Sequence, residues 1–422
     1  MSKTEGTLRL ADFLEAIPAE GWICCSCTFD AAVLPLEQAQ RNLRDGYADL
    51  LAKYPQLRLK LVKIDGLLYW KFATEAECAF DNLVEVVPSI DNSIPATFPL
   101  DVAPVWRLRL CHREAESKTE VRVLASHAIC SGRTLCDIFE LFLHVATKEP
   151  LPPDFVDAQH QPLLPSFGKK DWFVDQVSSH IHPPRSWERL VPYKMNPAVA
   201  LPSHVVCLHW RHRYAPVSAF CRRHGVTVQG VLMAIQERGY RAFHQGAIDA
   251  MPLAAYVPVD VRRSQYASAR GRRSALFFPN SGVVLVFVEK QRDILGDVRH
   301  CQERLRAALA TDEAPLAALT QANILDERTH QVAFPAHFPN ASVHNIIFAS
   351  HLGRVCPTRH DVLFGSSSPV AAFGYWPNLY AYHTDEELYF MFTPPYNVVP
   401  SFVAMVRDSI AEMMEFIERD GC

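Results

Sequence analysis

Apolar positions along the first 150 residues switch between two periods. Leu36, Leu43, Tyr47, Leu50, Leu51 and Tyr54 recur at helical spacing on one face, which predicts a helix. Pro35 suits its opening turn and Pro55 ends it. The period then drops to two. Leu57, Leu59 and Leu61 alternate with Arg58 and Lys60, and Asp65-Gly66 turns the chain into a second strand, the signature of a β-hairpin. Another strand pair follows. Trp106, Leu108 and Leu110 point one way and Arg107 and Arg109 the other, while Val121, Val123, Ala125 and His127 share a face of the next strand. His127 is therefore the last residue of an inward-facing apolar row. After Gly132, helical spacing returns with Leu135, Ile138, Phe139 and Phe142.

From Pro150 to Pro202 the periodicity is lost and prolines recur, as in a long linker over the surface. A second folded half follows. It reads as a strand from His204, two helices with Thr227 capping the second, and strands from Leu253 and Gly282. A helix from Ile294, a strand over Asn345–Val355, a hairpin from Leu379 and an amphipathic helix over Ser401–Glu418 complete it. Strands then helices, in mostly antiparallel pairs, occur in both halves, so the expected fold class is α+β. The expected division is residues 1–150, a linker over 151–202, and residues 203–422.

Composition narrows the function classes. With 422 residues the chain exceeds one ordinary core, which favours two lobes. Apolar residues make up 49 % and charged ones 21 %, as in a soluble globular enzyme. The formal net charge of -4 argues against a nucleic-acid binder. No uncharged apolar run reaches membrane-spanning length and the N-terminus lacks a signal-peptide core, so a cytoplasmic protein without a membrane span is expected. The 12 cysteines are scattered. Cys24-x-x-Cys27 has no second pair at zinc-site spacing and reads as part of a buried strand. The histidines form no His-Glu-x-x-His pair, so no metal is expected.

One short stretch carries candidate chemistry: Ser126-His127-Ala128-Ile129-Cys130-Ser131-Gly132, where a strand stops and a helix starts. A neutral imidazole, with an ordinary pKa of about 6.5, suits proton abstraction near pH 7 when a rigid strand end fixes it. Ser131 is a good N-cap for the helix.

This stretch falls where the chloramphenicol acetyltransferase-like superfamily has its His-His-x-x-x-Asp-Gly or His-x-x-x-Asp motif. That superfamily includes condensation domains of peptide synthetases, plant BAHD acyltransferases and alcohol acetyltransferases. Almost the whole chain resembles it. Leu34–Leu61 is similar to its opening helix and following strand, Phe98–Leu110 to the segment before the active-site strand, and Val226–Ile235, Val257–Arg263 and Ala349–Val355 to later segments.

The resemblance implies two similar lobes with an acceptor tunnel at their junction, and acyl transfer from a thioester to an alcohol or amine with His127 as general base. It implies no bound cofactor; the co-substrate is acyl-CoA or a phosphopantetheine thioester. Implied partners are a small, hydrophobic acceptor and an acyl carrier protein, for a monomeric protein of secondary or lipid metabolism. Two signature residues differ. Ser126 stands for the first histidine, and Ser131 for the aspartate that pairs with an arginine, matched here by Arg262. Asp260 or Asp137 is the alternative partner for Arg262. Ala372–Trp376 stands where BAHD proteins have Asp-Phe-Gly-Trp-Gly. Ser350 and His351 replace a Ser-Asn pair across the tunnel, where Ser350 would face the developing oxyanion. Arg270, Arg272 and Arg273 suit the phosphates of a CoA donor or an acidic carrier surface, or else form a solvated basic loop. The alternative function is a non-transferase homologue that uses the tunnel for binding or for another reaction such as cyclisation.

Overall fold

The computed structural model describes residues 7–10, 21–65, 67–90, 93–95, 103–151, 204–244, 252–260, 281–311, 346–356, 358–366, 378–393 and 400–421. Residues 152–202 of the expected linker, Arg262, Arg270, Arg272, Arg273 and Ala372–Trp376 lie outside the described residues.

In chain order the first half runs β1 (Thr7–Leu10), β2 (Trp22–Asp30), α1 (Leu36–Lys53), β3 (Leu59–Ile64), β4 (Leu67–Phe72), α2 (Phe80–Leu83), β5 (Val84–Val86), β6 (Ser93–Pro95), β7 (Trp106–Arg113), β8 (Lys118–Ser126) and α3 (Gly132–Thr147). The second half runs β9 (His204–Val206), β10 (Leu208–Arg213), α4 (Tyr214–His224), α5 (Val228–Phe243), β11 (Leu253–Asp260), β12 (Ser281–Val288) and α6 (Ile294–Leu309). It ends with β13 (Ile346–Arg354), β14 (Val362–Ser366), β15 (Asn378–His383), β16 (Glu387–Thr393) and α7 (Pro400–Asp420).

Two main sheets organise the molecule as a two-lobed α+β fold. The first has the order β14-β2-β8-β7-β5 and the second β10-β16-β15-β13-β11-β12. In the first, Trp106, Leu108 and Leu110 stand opposite Ala125, Val123 and Val121, so the two alternating rows read from the sequence meet on one face. Helices α1 and α3 cover that face. Phe139 and Phe142 of α3 are 0 % and 1 % exposed, and burial of each stabilises by roughly 1.5–3 kcal/mol. The opposite face is charged. Glu120, fully buried, takes Arg113 on one carboxylate oxygen and Arg122 on the other. In the second lobe α5 packs across β13 between α6 and α7. Thr227 caps α5 as expected, accepting from Gly230 N at 3.3 Å.

Strand β14 is not apparent in the sequence pattern. It comes from the second half, yet pairs with β2 of the first sheet, Phe364 opposite Cys25. Its outer edge would otherwise leave main-chain groups unpaired. Side chains of the second sheet cover that edge. The Tyr382 hydroxyl donates to Val362 O and accepts from Phe364 N, both at 3.0 Å. His209 Nε2 donates to Phe364 O at 2.8 Å, and Thr393 Oγ1 to Ser366 O at 3.2 Å. Strand β14 thus joins the two lobes, and the β6–β9 pair also links the two halves. Among the described residues no helix is long and apolar enough to cross a membrane.

Candidate active site

The ladder that makes β8 a strand continues one residue past its end. His127 N donates to Gly21 O at 2.8 Å, the step after the Trp22–Ser126 pair. A turn follows at once: Ala128 N donates to Ser126 Oγ at 3.2 Å and Ile129 N to Ser126 O at 3.1 Å. The Ser126 side chain is therefore occupied in shaping the turn. Helix α3 then starts from a capping box. Ser131 Oγ accepts from Thr134 N at 3.4 Å, and Ser131 N donates to Thr134 Oγ1 at 2.7 Å. His127 is held between a strand end and a capped helix start.

Its ring is partly exposed, but Nδ1 is buried and meets no hydrogen-bond partner in another residue. Burial pushes the imidazole pKa below 6.5, and the histidine's own main chain offsets only part of that. The ring is neutral at pH 7.

Ser350 and His351 lie on β13. Strand alternation puts them on opposite faces. Ser350 is level with Tyr380 of β15 and shares its face with Phe348, which stacks on Tyr256. Tyr380 and Phe364 on that side lie 5.5 Å apart between ring centroids. His351 lies level with Ala381, on the side covered by α5. Gln229 of that helix clasps the strand there, accepting from His351 N at 2.8 Å and donating to Ala349 O at 3.0 Å. The His351 ring stacks on His383 at 5.6 Å, and His383 on Tyr214 at 3.9 Å. Its Nε2 is buried without a partner. Burial first, then His383 and Arg133, push its pKa down to about 3.

Two residues at the start of α3 join these pieces: Gly132, the last residue of the motif, and Arg133, which the sequence reading did not single out. Gly132, the first residue of α3, sits so close to the second lobe that a Cβ would lie 3.1 Å from Leu352 Cδ2 and 3.3 Å from Phe364 Cζ. Arg133 follows. One guanidinium nitrogen donates to Leu352 O at 3.0 Å and also to Arg354 O; the other pairs with Asp137 one turn along α3. Asp137, an alternative partner for Arg262, is thus bound by Arg133. Its detectable sequence signal is the spacing of four residues between Arg133 and Asp137.

Among the described residues no group of three or more His, Cys, Asp or Glu is arranged to hold a metal ion. The eleven described free cysteines are all buried. Burial pushes thiols such as Cys24 and Cys27 up to about 12, which leaves them unreactive.

No protein-family model and no curated protein sequence matches the chain. Solved structures do match over nearly its full length. Polyketide synthase associated protein 5 from Mycobacterium tuberculosis is 15 % identical with a TM-score of 0.63, over 96 % of this chain and 97 % of that one. Trichothecene 15-O-acetyltransferase from Fusarium sporotrichioides is 12 % identical with a TM-score of 0.65, over 96 % and 94 %. The starter condensation domain of rhizomide synthetase, solved with C8-CoA and Leu-SNAC, is 13 % identical with a TM-score of 0.60, over 98 % and 95 %.

Proposed function

We propose that this protein, whose two lobes have the chloramphenicol acetyltransferase-like fold, moves an acyl group from a thioester to an alcohol or amine, with His127 as general base. One observation carries the reading. A partly exposed, neutral imidazole stands at the end of a rigid strand, with Nδ1 shut away from solvent and other residues. A proton kept on Nδ1, toward the histidine's own main chain, leaves the lone pair of Nε2 for the acceptor.

In the proposed reaction, Nε2 removes the proton of the acceptor hydroxyl or amine as its oxygen or nitrogen attacks the thioester carbonyl. The tetrahedral oxyanion is stabilised by a donor, for which Ser350 is the candidate. Collapse expels the thiolate, and the imidazolium returns its proton to the sulfur. Ser131 acts here through the helix cap it forms. The donor is acyl-CoA or a carrier-bound thioester, with Arg270, Arg272 and Arg273 as its phosphate or carrier contacts. The fold similarity to an acetyltransferase and to a condensation domain solved with C8-CoA supports this donor class.

The test is release of free CoA from acyl-CoAs of graded chain length, with and without a panel of apolar alcohols and amines. Acceptor-dependent release supports transfer. Tight ligand binding with no release under any condition would favour a non-transferase role. Reversal of the three arginines to Glu should raise the KM for the CoA donor and leave that for the acceptor unchanged.

A further inference from the structure

We propose that Arg133 is a positioning residue: anchored on Asp137, its guanidinium holds the bulge of β13 against the start of α3 and so sets where the strand of Ser350 stands relative to His127. The functional consequence rests on reading His127 as the base.

The geometry is specific. Between His351 and Arg354 the pairing of β13 with β15 shifts register, and Gly353 in this bulge has φ +82°. That left-handed residue lets the carbonyls on either side, Leu352 O and Arg354 O, both bond Arg133. A built Cβ on Gly353 would meet only Arg133 Nη1, at 3.8 Å. The Arg133 side chain is 12 % exposed and that of Asp137 fully buried. An ion pair so far removed from water is favoured only when further hydrogen bonds support it; the two strand carbonyls supply these to Nη1, while Arg133 Nε meets no partner. Gly132 permits the approach, since a Cβ there would crowd the side chains of Leu352 and Phe364. One guanidinium thereby ties the loop of His127 to a strand 219 residues further on.

The same charge reaches the histidines of β13 and β15. It helps hold His351 and His383 below their ordinary pKa, after burial in each case. The other charged or titratable groups acting on this pair are His383 on His351, and Arg354 and Asp385 on His383. For His127 the counterpart is its own main chain.

The experiment is an NMR titration of protein labelled at histidine, for wild type, Arg133→Met and Arg133→Lys, with acyl-CoA turnover measured in parallel. Arg133→Met should raise the His351 pKa by about 1 unit or more, because a positive neighbour is lost. It should also raise that of His127, because the loosened loop admits water. Arg133→Lys keeps the charge but cannot take both carbonyls and Asp137 in one fork. There His351 should stay low while His127 still moves up. Turnover should fall about 10–100-fold in both variants, with the KM for CoA donor unchanged. His127 titrating as in wild type in both variants would overturn the proposal, whatever the turnover. If Arg133→Met fails to fold, the His127 shift in Arg133→Lys decides it. If wild type releases no CoA from any donor, the acyl-transfer reading fails, and the His127 shift alone decides the role of Arg133.

Discussion

Ser131 and Thr134 cap one another: the Ser131 main-chain N–H donates to Thr134 Oγ1 at 2.7 Å, while Ser131 Oγ accepts from Thr134 N at 3.4 Å. This reciprocal cap gives the serine a structural role without an ion pair. Ser131→Ala should therefore lower stability by about 1 kcal/mol, whereas Ser131→Asp should retain the cap. Urea midpoints of the two variants check this. Equal loss in both would mean that the hydroxyl serves something other than the helix.

The pH profile of turnover should report His127. Burial lowers its pKa, and the base works only when deprotonated. The rate should be flat above pH 6.5 and fall as pH drops through a midpoint lower than that. An acidic limb centred above 6.5 would mean that another group, or a hydrated His127, controls the reaction.

His351 should make the fold acid-sensitive. Its folded pKa of about 3 lies below its ordinary 6.5, so the unfolded chain takes up the proton first as pH falls. The stability contribution is complete above 6.5 and is lost progressively between 6.5 and 3, at roughly 1.4 kcal/mol per pH unit. Denaturant midpoints of wild type and His351→Gln at pH 7 and pH 5 isolate this share, because the other buried histidines titrate in both. The difference between the two proteins should change by about 2 kcal/mol over that interval. An unchanged difference would show that the ring is solvated.

Gly353→Ala should cost about 1–2 kcal/mol, because φ +82° disfavours any Cβ. Space is not the obstacle, since the nearest atom is 3.8 Å away. A neutral substitution, measured by urea unfolding, would mean that the bulge relaxes freely.

The rows Trp106–Leu110 and Val121–Ala125 were legible because each alternates with period two and buries one face. The α3 start was legible because Ser131 and Thr134 are local. Strand β14 was not: five residues with one long apolar partner sheet far away in sequence carry no periodic signal. Arg133 was hidden for a related reason, since its partners across the junction are main-chain oxygens, which no side-chain pattern marks. Ser350 and His351 read as one polar pair, although alternation separates their faces and α5 covers the histidine's side. The arginines placed on the donor lie outside the described residues and stay a proposal.

The most direct measurement is the acyl-transfer rate of His127→Ala with a CoA donor and its acceptor. The side chain is partly exposed and Nδ1 has no partner in another residue, so its removal should leave the fold intact, as seen by an unchanged urea midpoint to within about 1 kcal/mol. Loss of a general base should lower turnover about 10²–10⁴-fold. A folded variant that keeps wild-type turnover would contradict the assignment of His127 as the base.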